Sequence, residues 1–239
     1  MAHVLRLGVL PEGYIYPKAE RAVRDVLRKR APWVRQHTAQ ILSVQNLMAR
    51  NTGTRLRTKR IIELTPSALQ GLLPAAEHIL AVTNSLAVVH CLRQQSKTLE
   101  KTVNQHLKPT LAYEQLQTVD GIGTILAQTI VLETGDIGRF PTVGHYASYC
   151  RCVGSTKSSN GKRKGQGNVN NGNPYLEWAS MEAAQLVLRF SPIVQRFYQR
   201  KQAKSHLMMA RKAVAHTLAR ACYYMRRDLV PFDVQKAFG

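Results

Sequence analysis

The stretch AAEHILAVTNSLAVVHCLRQQSKTLEKTVNQHL, residues 75–107, contains neither glycine nor proline, and this uninterrupted run decides the fold class. As a single helix it would extend about 50 Å at roughly 1.5 Å per residue. Ile79, Val82, Leu86 and Val89 keep a heptad-like spacing, which Leu99, Val103 and Leu107 resume after a polar interruption. Such a seam serves either a coiled-coil arm used for dimerisation or a helix packed within its own chain, and the spacing leaves both open. Pro109 marks its far boundary.

Helical signals continue on both sides. Within Lys18–Ala31, Ala19, Ala22, Val23, Val26 and Leu27 form one stripe and Arg21, Arg24 and Arg28 another, the pattern of an amphipathic helix with a basic outer face. Pro32 is expected to kink or end that helix, with Trp33–Arg50 resuming it. Asn51-Thr52-Gly53 reads as a break, and Arg55 to Arg60 adds four positive charges. Thr65-Pro66, Asn173-Pro174 and Ser191-Pro192 each place a capping side chain before a first-turn proline. A long helix is expected from about Ser205 to Arg227. The expected fold is mainly α: a basic helical segment over 1–64, a long helix or coiled-coil arm over 65–110, and a compact helical domain over 111–239.

With 239 residues and 44% hydrophobic content, the chain can bury a core in one or two domains. Its 34 Lys+Arg against 14 Asp+Glu give a formal charge of +20, which repels itself in the compact state and is best compensated by a polyanion. No uninterrupted apolar run is long enough to span a membrane, and no secretory signal is visible at Met1 to Leu10. The four cysteines, Cys91, Cys150, Cys152 and Cys222, form no disulfide framework, which fits a reducing cytosol. Cys150-Arg151-Cys152 with His145 lacks the spacing and the fourth ligand of a zinc site, so a structural role is expected for it.

Two motifs carry candidate chemistry. Leu116-x-x-Val119-x-Gly121-Ile122-Gly123 has the form of a helix-hairpin-helix. Gly121 and Gly123 would let the backbone approach a DNA phosphate, with the next helix offering its unpaired N–H groups, or they serve only a structural hairpin. Asp120 inside the turn counts against strong phosphate binding. The second motif, Ser158-Ser159-Asn160-Gly161-Lys162-Arg163-Lys164-Gly165, reads as a flexible basic loop carrying an exposed serine. Lys162, Arg163 and Lys164 could stabilise phosphate oxyanions. No Ser-His-Asp pattern accompanies the serine. The carboxylates are dispersed, and the tightest pair in the region, Glu133 with Asp136, is expected to serve local structure rather than a metal.

The segments Gly121-Ile122-Gly123, Gly135-Asp136-Ile137-Gly138-Arg139-Phe140, Tyr146-Ala147-Ser148-Tyr149-Cys150-Arg151, Ser158-Ser159-Asn160-Gly161-Lys162 and Asn171-Gly172-Asn173-Pro174-Tyr175-Leu176 resemble, in order and spacing, the C-terminal transposase domain of the insertion sequence 110 family, which includes the Piv-type DNA invertases. Leu5 to Tyr14 and Arg21-x-x-Arg24-Asp25 resemble the segment that follows that family's N-terminal catalytic domain.

The resemblance implies a bacterial RNA-guided DNA recombinase of a mobile element, working in the cytoplasm on nucleoid DNA. In that family a RuvC-like domain binds Mg²⁺ through four acidic residues, and the transposase domain supplies a serine that attacks DNA and becomes covalently linked. The serine position falls on Ser159, with Ser158 the near alternative. Expected partners are DNA, an element-encoded guide RNA, and further copies or an intact transposase; no membrane is expected. The family's acidic residues fall upstream of Met1, no metal ligand is identified here, and the expectation is a truncated copy that is inactive alone. The reading from another class is a non-enzymatic DNA- or RNA-binding remnant or regulator that dimerises with an intact transposase.

Overall fold

The computed structural model describes residues 6–8, 13–107, 110–154, 156–166 and 171–239; Pro109 and Leu5, Val9, Leu10, Pro11 and Glu12 of the quoted N-terminal segment lie outside the described residues. Among those described, the chain is mainly α, with one short two-stranded antiparallel sheet. Helix α1 spans Lys18–Thr52, α2 Thr58–Ile62, α3 Pro66–Leu72 and α4 Ala76–Leu107. Helix α5 covers Leu111–Leu116, α6 Thr124–Thr134 and α7 Val143–Tyr149, with a 3₁₀ turn at Ile137–Arg139 between the last two. Strands β1 (Thr156–Ser159) and β2 (Lys162–Gln166) follow, then α8 (Pro174–Val187), α9 (Pro192–Gln202), α10 (Leu207–Asp228) and α11 (Val234–Phe238).

Helices α1 and α4, of 35 and 32 residues, pack antiparallel as a long helical hairpin. At its tip Val82, Leu86 and Val89 bury against Ile41, Val44 and Met48, with Ile61, Leu69 and Leu73 from the short connecting helices closing the end. At its base Val103 and Leu107 meet Leu27 and, from α6, Leu132. The heptad-like seam of α4 is therefore filled by α1 of the same chain. Each large side chain buried along it contributes about 1.5–3 kcal/mol. Midway the seam turns polar: Arg30 donates to Glu100, and His37 is half-buried with Arg93 and His90 near it, its pKa lowered first by burial and then by those two neighbours.

Pro32 neither ends nor splits α1, which runs unbroken through it to Gly53. The proline removes one N–H from the ladder, but packing along α4 on both sides holds the helical path. Gly53 closes the helix in the left-handed conformation, its N–H reaching Ala49 O, the geometry for which a helix-ending glycine is favoured. Thr65, Asn173 and Ser191 cap α3, α8 and α9 through their side chains, each before a first-turn proline.

The second unit is built around α6, whose Leu126, Ala127 and Ile130 lie in a core shared with Leu176, Ala183 and Val187 of α8 and Val214, Leu218 and Cys222 of α10. Because α6 ends inside the protein, its last carbonyls need partners. Arg226 donates to the carbonyls of Ile130, Val131 and Gly135, at 3.3, 3.4 and 2.9 Å. Tyr16 donates to Leu132 O, and Arg139 Nε to Thr134 O at 3.1 Å. A cation is favoured at this negative end of the helix, which is how the buried Arg226 is accommodated although burial lowers its pKa.

The basic stripe of α1 does not face solvent as its periodicity suggests. Arg21 donates to Tyr16 O, Arg24 lies over the Tyr16 ring at 3.8 Å, and Arg28 forms a two-pronged pair with Glu133, Nε to Oε1 and Nη2 to Oε2, both at 2.7 Å. The Glu133 side chain is only 1% exposed. Arg28→Ala would leave that carboxylate without its counter-charge and is expected to cost about 3 kcal/mol, the usual penalty for breaking a buried pair. Urea unfolding checks this, and adding Glu133→Gln to the Arg28→Ala protein is expected to restore part of the loss.

Candidate nucleic-acid interface

Ser159 lies on a β-hairpin rather than in a flexible loop. Asn160 and Gly161 form its two-residue turn with φ of 51° and 71°, the doubly left-handed geometry that Asn-Gly adopts most readily. The Asn-Gly pair was thus a hairpin signal, lost among the flanking charges. The register pairs Ser159 with Lys162 and Ser158 with Arg163, shifts, and then pairs Lys157 with Gly165. That leaves Lys164 as the extra residue of the bulge, followed by Gly165 at φ 131°. Because side chains alternate along a strand, Ser159 and Lys162 share one face and Ser158 lies on the other. Ser158, Ser159, Lys162 and Lys164 are all exposed; the side chain of Arg163 lies outside the described residues.

The hairpin is anchored to the core on both sides. Arg151, in the left-handed conformation at φ 55°, donates from Nε to Asn171 O at 3.1 Å and from Nη2 to Gly172 O at 3.3 Å, and pairs with Glu177 at 3.6 Å. Asn173 N–H donates to Tyr149 O at 2.7 Å. The returning chain thus passes directly over the end of α7. Gly172 is required there, with φ at 92°, because a Cβ would stand 2.6 Å from Tyr149 O. Asn173 carries the junction inward: its Oδ1 accepts from the N–H groups of Tyr175 and Leu176, and its Nδ2 donates to Glu133 Oε2 at 2.8 Å. Arg28, already paired with Glu133, also lies 4.6 Å from the Tyr175 ring centre. Sequence reading missed Arg28, Arg151 and Asn173 as parts of one device; only the Asn-Pro cap signal pointed to any of them.

The two motif glycines divide in role. Gly121, at φ 95°, lies against the end of α8, where a Cβ would come within 2.8 Å of Val187 N and 2.9 Å of Leu186 Cβ. Its lack of a side chain lets these two segments pack closely. Gly123 is exposed, has nothing within 4 Å of a built Cβ, and precedes the first turn of α6, whose N–H groups no side chain caps. Asp120 is exposed beside it.

Carboxylates and thiols serve structure. Glu133 is occupied by Arg28 and Asn173, and Asp136 Oδ1 accepts from Gly138 N. Among the described residues no three His, Cys, Asp or Glu side chains form a group that could hold a metal. Cys150 and Cys152 are buried in the α6 core, while His145 is exposed and paired with Thr142. Burial pushes the Cys150 thiol well up, Cys152 to about 11 and Cys222 to about 12. No helix among the described residues is long and apolar enough to cross a membrane.

Residues 113–199 match the family described as Transposase IS116/IS110/IS902 family. Over 141 residues the chain is 29% identical to a Streptomyces coelicolor protein described as "Insertion element IS110 uncharacterized 43.6 kDa protein", covering 56% of this chain and 34% of that protein. Over 179 residues it is 26% identical to a "Probable family 20 transposase" of Pseudomonas aeruginosa, covering 71% of this chain and 52% of that protein. The similarity to this transposase family lies in residues 113–199, and the chain spans between a third and about half of the length of these curated relatives.

Two outcomes follow from the geometry. Gly121→Ala is expected to destabilise the fold by at least about 2 kcal/mol through backbone strain and overlap, whereas Gly123→Ser, free of contacts and at a capping position, is expected to change stability by less than about 1 kcal/mol; thermal melts of both compare them. The unfolded thiols ionise near 9 while the folded ones hold their protons to higher pH. The unfolded chain therefore binds fewer protons in that window, and stability is expected to fall as pH rises from about 9 toward 12. Replacing Cys150, Cys152 and Cys222 by Ala should flatten that decline in a series of melts.

Proposed function

We propose that the chain is the serine-bearing part of an insertion-sequence transposase, and that Ser159 is the nucleophile that cleaves a DNA strand. The observation that carries this reading is the cross-strand pairing of Ser159 with Lys162 at the hairpin apex. The pairing sets a hydroxyl and an ammonium side by side on one exposed face. In the step proposed, a bond forms between Ser159 Oγ and the scissile phosphorus as the bridging P–O bond to the leaving deoxyribose oxygen breaks. The proton released by the serine reaches that oxygen through water. Lys162 lies where it can stabilise the added negative charge of the phosphoryl oxygens, and Lys164 and Arg163 add attraction for the flanking backbone.

Ser158 pairs instead with Arg163, and the choice of Ser159 over it rests on the family resemblance. The formal charge of +20 supplies the non-specific affinity for DNA expected to fall steeply with salt. The short helix, turn and helix from Leu111 to Thr134 would act as a helix-hairpin-helix, touching backbone at Gly123 and the α6 N-terminus rather than at Gly121. Element-encoded guide RNA and further transposase copies are proposed as partners on the family resemblance alone. Mg²⁺ in the complete family enzyme rests on that resemblance too, and none of the steps assigned here passes through it.

The test is a denaturing-gel assay for a covalent protein–DNA adduct. It uses supercoiled element-end DNA, element RNA and Mg²⁺, with the chain mixed with a separately supplied acidic N-terminal domain from a relative. An adduct is expected in the mixture, abolished by Ser159→Ala, retained by Ser158→Ala, and slowed about 10²-fold by Lys162→Ala. An adduct unchanged by Ser159→Ala sinks the assignment. DNA binding with no adduct at all favours a non-enzymatic remnant or regulator.

A further inference from the structure

Beside the hairpin's return lies an open recess of about 350 Å³, lined by Arg139, Phe140, Pro141, His145, Ser148 and Tyr149, and by Asn171 and Gly172 of the returning chain. It is not used by the step assigned to Ser159. Its volume is at the small end of ligand sites, enough for one nucleotide. Two of its walls are aromatic: Phe140 and Tyr149, with ring centres 5.2 Å apart and planes inclined by 49°.

Arg139 brings a positive charge whose hydrogen bonding is incomplete. Its guanidinium carbon lies 4.1, 4.2 and 4.5 Å from the ring centres of Tyr14, Phe140 and Tyr149. Its Nε donates to Thr134 O, while Nη2 is buried with no acceptor among the described residues. No carboxylate pairs with it among the described residues. His145 uses Nδ1 on Thr142 Oγ1 at 2.7 Å, which leaves Nε2 on the opposite edge of an exposed ring. The exposed hydroxyl of Ser148 lies one helical turn further along α7. Flat apolar walls beside a cation, an imidazole and a hydroxyl match a ligand with a planar base and an anionic group.

We propose that this recess receives one unstacked nucleotide of the DNA strand presented to Ser159. Its base stacks on the half-buried ring of Tyr149, over the edge of the buried Phe140, and its phosphate turns toward Arg139 and His145. The assignment to that strand rests on the Ser159 reading, since the recess shares Asn171 and Gly172 with the hairpin's anchor. Stacking on aromatic side chains is tolerant of base identity, so the recess would hold the strand in place rather than read its sequence.

Photo-cross-linking of the full chain with a short single-stranded DNA carrying one 5-iodouracil tests this. Mass spectrometry is expected to find the adduct on Tyr149 or Phe140. Ser148→Phe, which fills the recess from an exposed position, is expected to cut that adduct about ten-fold, the worth of one stacked base, with the melting temperature kept. His145→Ala, which removes only the imidazole, is expected to reduce it in the same direction. Adducts confined to other parts of the chain, or a yield unchanged in both variants, overturn the proposal. So does cross-linking of RNA of the same sequence with none of the DNA. Ser159→Ala protein, run in parallel, is expected to cross-link normally. The recess therefore stands or falls by this assay, while the nucleophile stands or falls by the covalent adduct.

Discussion

A single buried carboxylate ties the molecule together. Glu133, at the end of α6, receives two hydrogen bonds from Arg28 of the long helical arm and one from Asn173, the residue on which α8 starts and to which the serine hairpin returns. Taking such a charge out of water costs several kcal/mol unless its lone pairs are satisfied. Three short bonds from two elements satisfy them here, and the arm, the central helix and the hairpin's anchor thereby have one common point. The carbonyls at the same end of α6 are held by Arg226, Tyr16 and Arg139. The C-terminus of α6 is thus fixed by side chains from before the domain and from within it.

The mainly helical fold was legible because its signals are local. A run from 75 to 107 without glycine or proline, and three capping residues each followed by proline, need no knowledge of what lies elsewhere in the chain. The seam of Val82, Leu86 and Val89 was legible as a stripe, but its partner was not. Burial against Ile41, Val44 and Met48 depends on the chain doubling back, which spacing alone does not encode. Pro32 misled for the same reason, since the local cost of the proline is outweighed by packing along α4 that no window around it contains.

The site was legible only as composition. The cluster of serine, Asn-Gly and cations around 158–165 stands out, yet which serine shares a face with which cation depends on register, fixed by the Asn160-Gly161 turn and the bulge at Lys164. The arginines of α1 were read as solvated because an amphipathic pattern shows which residues share a stripe, not what that stripe meets. Arg28 finds its carboxylate 105 positions away. Gly121 is the converse case: a glycine read as room for a ligand is room for α8.

The position of Ser159 next to the apex of a two-residue turn has a consequence for the medium in which any reaction there takes place. The hairpin projects into bulk water, where the attraction between an ammonium and a phosphate is weak. Water must be expelled before Lys162 can act strongly, and the side chains of Ser159 and Lys162 are exposed. On the reading proposed above, the covering surface arrives with the substrate or with another protein surface pressed against the apex. The serine face is then one half of a mould, dry only when the other half is in place.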